Sequence, residues 1–202
     1  SKRATEIIPR ELKKHITGVV SNEETRNIIR RAIVQANCDI LSLAALDREL
    51  RNMGTTVVTS LWRKGSAAMY VAGLGDSRIY QIRGKQLSQL TVDHSIAQAL
   101  VEAGTISKEE ALTHRYRNVL WKYLGSNEVG EGPEVQSIPL KIGDRYLLCT
   151  DGLCGPVTDE EILNFFQTPT DMQSAADALC QLALDNGSRD NISCVTIEVV
   201  EN

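Results

Sequence analysis

Three aspartates share one kind of position, an expected strand end near glycine. Asp76 lies in Gly73-Leu74-Gly75-Asp76-Ser77-Arg78, between two stretches that read as hairpins. Asp151 follows the apolar run Tyr146-Leu147-Leu148-Cys149 and precedes Gly152. Asp190 sits in Gly187-Ser188-Arg189-Asp190-Asn191, just ahead of a β-branched run. Each is at an expected strand end near glycine, where backbone can approach a ligand closely. If the strands are neighbours, the three carboxylates converge at one edge of the core. Two such charges ~5 Å apart at an effective dielectric near 20 repel by roughly 3 kcal/mol. A convergent triad therefore needs a cation, and oxygen-only ligands suit Mg²⁺ or Mn²⁺. Taken singly, each Asp is ordinary turn punctuation. The shared pattern is what points to a metal centre.

Other chemistries find no support. Gly84-Lys85 lacks the flanking residues of a phosphate loop, and Gly73-x-Gly75-x-x-Arg78 enters no helix as a dinucleotide fingerprint would. There is no Gly-x-Ser-x-Gly nucleophile elbow. His94 and Ser95 are adjacent, which gives no triad geometry, and His94 reads as a turn or capping residue. Cys149 and Cys154 bracket Asp151, but no second Cys/His pair has zinc spacing. Arg115, Arg117 and Lys122 form a small basic cluster that reads first as a solvated loop face.

Composition narrows the setting. The 202 residues suffice for one well-filled domain. Lys and Arg number 22 against 26 Asp and Glu, a net charge of −4 that argues against a nucleic-acid partner. No apolar run approaches a membrane span, and no signal peptide is legible. Five cysteines, an odd count, read as reduced packing thiols in a cytoplasmic compartment.

The elements that must position the aspartates follow from period and punctuation. Residues 4–16 have helical spacing interrupted by Pro9. Ser21 with Glu24 reads as a capping box opening a long helix with a stripe at Ile29, Ile33, Ala36, Ile40 and Leu43, the helical region ending at Gly54. Hairpins are expected around Arg63-Lys64-Gly65 and Arg83-Gly84-Lys85, and four strands in succession favour one antiparallel sheet. Helices follow at 95–103 and after Ser107, then a surface excursion over 113–143. Strand 145–150, a capping box at Thr158 and Glu161, helix 171–185 and strand 192–200 complete the chain. Segregated strand and helix runs indicate an α+β class.

At these residues the sequence resembles the metal-dependent protein serine/threonine phosphatases of the PPM/PP2C type, in their bacterial form. Met53-Gly54-Thr55-Thr56 is similar to a strand-opening segment of that family, and Gly75-Asp76-Ser77-Arg78 to its GDSR motif. Leu90-Thr91-Val92-Asp93-His94-Ser95 resembles its LTxDHS stretch. Glu102-Ala103-Gly104, Arg117-Asn118-Val119-Leu120 and Leu124-Gly125 resemble its flap. Gly143-Asp144-Arg145 through Asp151-Gly152-Leu153 resembles GDRxLLCSDGL, and Arg189-Asp190-Asn191 the terminal RDN. Each motif alone is weak, whereas six in family order are strong.

The resemblance implies two packed antiparallel β-sheets flanked by helices, an αββα sandwich filling residues 1–202 as one domain with a flap at about 95–142. It implies a centre of two or three Mg²⁺ or Mn²⁺ ions, with Asp151 and Asp190 as direct ligands and Asp76 helping Asp151 hold a weaker third ion. Asn118 would lie near that third site without a ligand role. Beyond the metal ligands no catalytic residue is implied, and substrate-binding residues are unassigned. The implied reaction is hydrolysis of phosphoserine and phosphothreonine in proteins by a metal-activated water, in a monomer whose substrates are targets of a serine/threonine kinase. The family's N-terminal strands, with the phosphate-gripping arginine, an acidic pair and the DGMGG segment, have no counterpart in the sequence. The expectation is thus an N-terminally truncated sandwich with an uncovered sheet edge, carrying only part of the site. A piece of a full enzyme, or a sequence that starts late, is favoured because the surviving ligand positions are intact acids. The alternative is a catalytically inactive pseudophosphatase or regulatory binding module.

Overall fold

The computed structural model describes residues 1–18, 20–168 and 171–201. Their contacts divide them into two compact units, one of Ser1–Val57, Ala72–Asp76 and Asp93–Ser137, the other of Val58–Val71, Ser77–Val92 and Ile138–Asn202.

The first unit opens with helix α1 (Lys2–His15) and helix α2 (Asn22–Leu46) packed together. Ile7, Ile8 and Leu12 of α1, and Ile29, Ile33, Ala36 and Ile40 of α2, are buried as helical period requires. Pro9 does not interrupt α1. It lies inside the helix, where its missing N–H loses one bond that the buried face on both sides offsets. Ser21 caps α2 by accepting from Glu24 N, but the box is not reciprocal, because the Glu24 carboxylate is taken by Arg31. The α-helix stops at Leu46, short of Gly54, and a single 3₁₀ turn follows at Arg48–Leu50. Buried Asn37 ties α2 to a distant loop, donating to Ser126 O (3.2 Å) and accepting from Gly125 N (2.6 Å).

Strands β1 (Val57–Trp62), β2 (Ala68–Leu74), β3 (Arg78–Arg83) and β4 (Gln86–Gln89) come next. They do not share one sheet. Helices α3 (Ile96–Glu102) and α4 (Lys108–Thr113) precede strand β5 (Val135–Pro139), which lies within the segment read as a surface excursion. Strand β6 (Arg145–Cys149), the single turn α5 (Asp151–Cys154), helices α6 (Asp159–Gln167) and α7 (Met172–Asp185), and strand β7 (Cys194–Glu198) follow. The sheets are β1-β2-β5 and β4-β3-β6-β7, so the two hairpins open different sheets. Pairing along the four-stranded sheet is antiparallel throughout.

Period-2 alternation divides the core of the second unit. Ile79, Tyr146 and Leu148 face Met69 and Val71, the layer between the sheets. Tyr80, Ile82, Leu147 and Cys149 face the other way, onto Leu153, Ile162, Phe166, Ala175 and Leu179 of α5–α7. The result is an α+β architecture of two antiparallel sheets with flanking helices, which is the class the sequence implies.

Candidate metal centre

Residues at the ends of β6 and β7 build the best-defined part of the site. Register pairs Cys149 with Cys194, so the chain leaves β6 beside the point where it enters β7. Thr150, the next residue, stitches the two together. Its N–H donates to Ser193 O (3.0 Å), its hydroxyl donates to Asn191 O (3.2 Å), and Ser193 N donates back to the same hydroxyl (3.1 Å). Gly152 is buried against the same segment, where an added Cβ would meet Asn191 O at 2.4 Å. Ser188 donates to Gly152 O (2.7 Å) from the loop after α7.

Asp151 is therefore flanked by two residues that touch the Asn191 segment, and Asp190 is the residue before Asn191. The two carboxylates sit on adjoining segments, Asp151 half-buried and Asp190 exposed. One oxygen of Asp190 accepts from Asn191 N (2.6 Å).

Asp76 belongs to the first unit, half-buried at the end of β2. The turn before it requires glycine: Gly75 has φ +107°, and a Cβ there would strike Thr56 Cγ2 at 2.4 Å. His94 holds this turn. Its backbone N–H donates to Gly75 O (2.8 Å), and its Nδ1 accepts from Gly75 N (3.2 Å). The cap of α3 is Ser95, which accepts from Gln98 N, so His94 is a clamp on the Gly75 turn and not a helix cap. Of the two roles read from sequence, turn and cap, the cap is not formed, and a separation of 19 positions from Gly75 offers no signal for the clamp. Burial depresses the His94 pKa, with the Lys122 charge acting the same way.

Arg115, Arg117 and Trp121 are exposed, with the Arg115 guanidinium over the Tyr116 ring at 4.3 Å. Asn118 is also exposed in this segment.

The donors at the β6–β7 junction are carboxylate oxygens, the type that hard divalent cations prefer. In number they fall short of a full set: among the described residues no three His, Cys, Asp or Glu side chains are grouped to hold a metal. The pair fits such an ion as far as it goes.

Two antiparallel sheets with flanking helices therefore frame acids at three strand ends. The model of the family Protein phosphatase 2C matches residues 2–192, and the chain belongs to that family. The serine/threonine phosphatase Stp of Listeria welshimeri is 33% identical over 187 residues, which cover 92% of this chain and 72% of that protein. The serine/threonine protein phosphatase PstP of Mycobacterium tuberculosis is 36% identical over 170 residues, 84% of this chain and 32% of PstP, so this chain spans about a third of that protein. The crystal structure of the M. tuberculosis phosphatase aligns with a TM-score of 0.86 at 31% identity, covering 99% of this chain and 83% of that one. The PstP catalytic domain has also been solved with two manganese ions (TM-score 0.80, 31% identity, covering 100% of this chain and 82% of that one). The chain is thus a member of a family of phosphatase enzymes, and none of its described helices is long and apolar enough to cross a membrane.

Proposed function

We propose that this chain supplies part of a divalent-metal centre that hydrolyses phosphoserine and phosphothreonine in proteins, with Asp151 and Asp190 as ligands. The observation that carries the reading is the Thr150–Asn191 junction, which sets the two acids on adjoining segments. Asp76 enters the proposed ligand set from its Gly75-Asp76-Ser77-Arg78 motif alone. Mg²⁺ or Mn²⁺, in two or three ions, suits oxygen donors, and the manganese-bound PstP domain supports that choice. A bound cation would supply Lewis acidity, which makes water a nucleophile near neutral pH and offsets charge on phosphoryl oxygens.

The chain's own residues do the positioning. Thr150 joins the two strand ends, so that the acids are preorganised and lose little freedom when a cation binds. Gly152 lets the Asn191 backbone approach without a side chain between them. Serine/threonine phosphoproteins made by a kinase are the proposed substrates, with a cytoplasmic, monomeric enzyme as the proposed form.

Asp151→Ala and Asp190→Ala test this. In protein that carries the whole site, each should lower Mn²⁺-dependent turnover of a phosphothreonine peptide by at least ~100-fold while leaving the thermal midpoint within a few degrees. Wild-type turnover in either variant would overturn the ligand assignment.

A further inference from the structure

Four of the five thiols lie on the helix-facing side of the four-stranded sheet. Cys149 and Cys194 are register partners on β6 and β7, and Cys149 belongs to the cluster that packs against α5–α7, with Cys154 and Cys194 at its margin. Cys180, on α7, puts its Sγ 3.6 Å from the Sγ of Cys194. A disulfide has an S–S bond of about 2.05 Å, so the sulfurs must approach by roughly 1.5 Å from their 3.6 Å separation. Both are half-buried, which leaves them open to a small oxidant. The residues between them carry the end of α7, the Asn186-Gly187 stop and the Arg189-Asp190-Asn191 loop.

We propose that Cys180 and Cys194 form an oxidisable pair that hydrogen peroxide converts to a disulfide, tying α7 to β7 and closing residues 180–194 into a ring around the Asp190 loop. The Cys180 sulfur attacks the peroxide O–O bond, giving a sulfenic acid and one water. The Cys194 sulfur then attacks that sulfur, the S–S bond forms, and the hydroxyl leaves as a second water. Two thiols and one peroxide give one disulfide and two waters, with the sulfurs oxidised and the peroxide reduced. Cys194 is the poorer first attacker on peroxide, because burial and the neighbouring Cys180 thiol push its own thiol up to about 12. Cys149 is a poorer competitor because it is buried, only 2% exposed, where a small oxidant does not reach it.

The test needs no assay of turnover, so its outcome is separate from that of the ligand assignment. The intact chain is treated with equimolar hydrogen peroxide at low protein concentration and then mapped by mass spectrometry without reduction. The expected product is one intramolecular cross-link joining the peptides that hold Cys180 and Cys194, reversed by dithiothreitol and lost in both Cys180→Ser and Cys194→Ser. Three outcomes would overturn the proposal: sulfinic acid at Cys180 without a cross-link, a disulfide between Cys149 and Cys154, or dimers joined through the exposed Cys38. The wild-type map decides the matter even if a serine variant folds poorly.

Discussion

The hydroxyl of Thr150 donates to the backbone carbonyl of Asn191 at 3.2 Å and accepts the Ser193 amide at 3.1 Å. One side chain therefore fixes the spacing between the segments that carry Asp151 and Asp190. Thr150→Val keeps the shape and removes both bonds. The expected cost is about 0.5–1.5 kcal/mol, since these bonds are solvent-exposed. Mn²⁺ affinity, followed by calorimetric titration, should fall by about 10-fold or more, because the variant acts on ligand spacing. Loss of stability with unchanged affinity would make Thr150 a purely structural residue.

Gly152 tests the same junction from the opposite side. A methyl at this position would lie 2.4 Å from Asn191 O and 3.0 Å from Asn191 C, and both are backbone atoms that no rotamer change can move. Gly152→Ala should therefore push the two segments apart and cost about 1–3 kcal/mol. Denaturant unfolding checks the stability. Amide exchange should show lower protection at Ser193, whose amide is held by Thr150.

Asp144 belongs to the same motif as Asp151, yet its surroundings are structural. It is 1% exposed and accepts a bidentate pair from Arg83 (2.7 and 2.6 Å) and the Lys141 amide (2.9 Å). Burial pushes its carboxyl up, but the bonds from Arg83 and Lys141 outweigh that and hold it below the ordinary value. A carboxyl depressed in the fold contributes stability that is complete above its unfolded pKa and is lost as pH falls through the folded one. Asp144→Asn should cost about 2–3 kcal/mol, less than a fully buried pair because Arg83 is 36% exposed. It should also flatten the acid limb of stability below pH ~4. Parallel pH curves for the two proteins would refute the assignment.

Much of this arrangement can be read directly from the residues, and the remainder cannot for definite reasons. The boxes at Ser107/Glu110 and Thr158/Glu161 form with both bonds, because their partners are three residues apart and nothing competes. At Ser21 a competitor exists, Arg31, seven residues beyond Glu24. The β3–β4 turn at Gly84 (φ +60°) is local and legible. Alternation says which face of a strand is buried but not which sheet the strand joins, so the two hairpins could not be separated. Strand β5 alternates weakly and ends in Pro139, which hid it in a polar stretch. α5 is one turn of Asp-Gly-Leu-Cys, too short to show a period. The acids at strand ends were visible one at a time. Their joinery was not, since Thr150 and Asn191 are 41 residues apart and Cys180 and Cys194 belong to different elements.

His94 gives a second, independent acid sensitivity. Its ring is partly buried on the Gly75 turn, and the groups facing it are Lys122, Asp93 and Glu102, with the Trp121 ring edge-on at 5.5 Å. Burial dominates and lowers its pKa, so the fold prefers the neutral ring. A histidine depressed in the fold binds fewer protons folded than unfolded, and stability must fall as pH drops below the unfolded value near 6.5. Asn places its Oδ1 close to where Nδ1 stood, so His94→Asn keeps an acceptor for the Gly75 amide without a titrating group. The variant should lose about 0.5–1.5 kcal/mol at pH 8 through the lost edge-on packing against Trp121. Between pH 7 and 5 its stability should decline less steeply than that of the wild type. Thermal midpoints measured across that interval separate this from the Asp144 effect, which begins at lower pH. An equally steep decline in both proteins would show that the Gly75 clamp does not titrate.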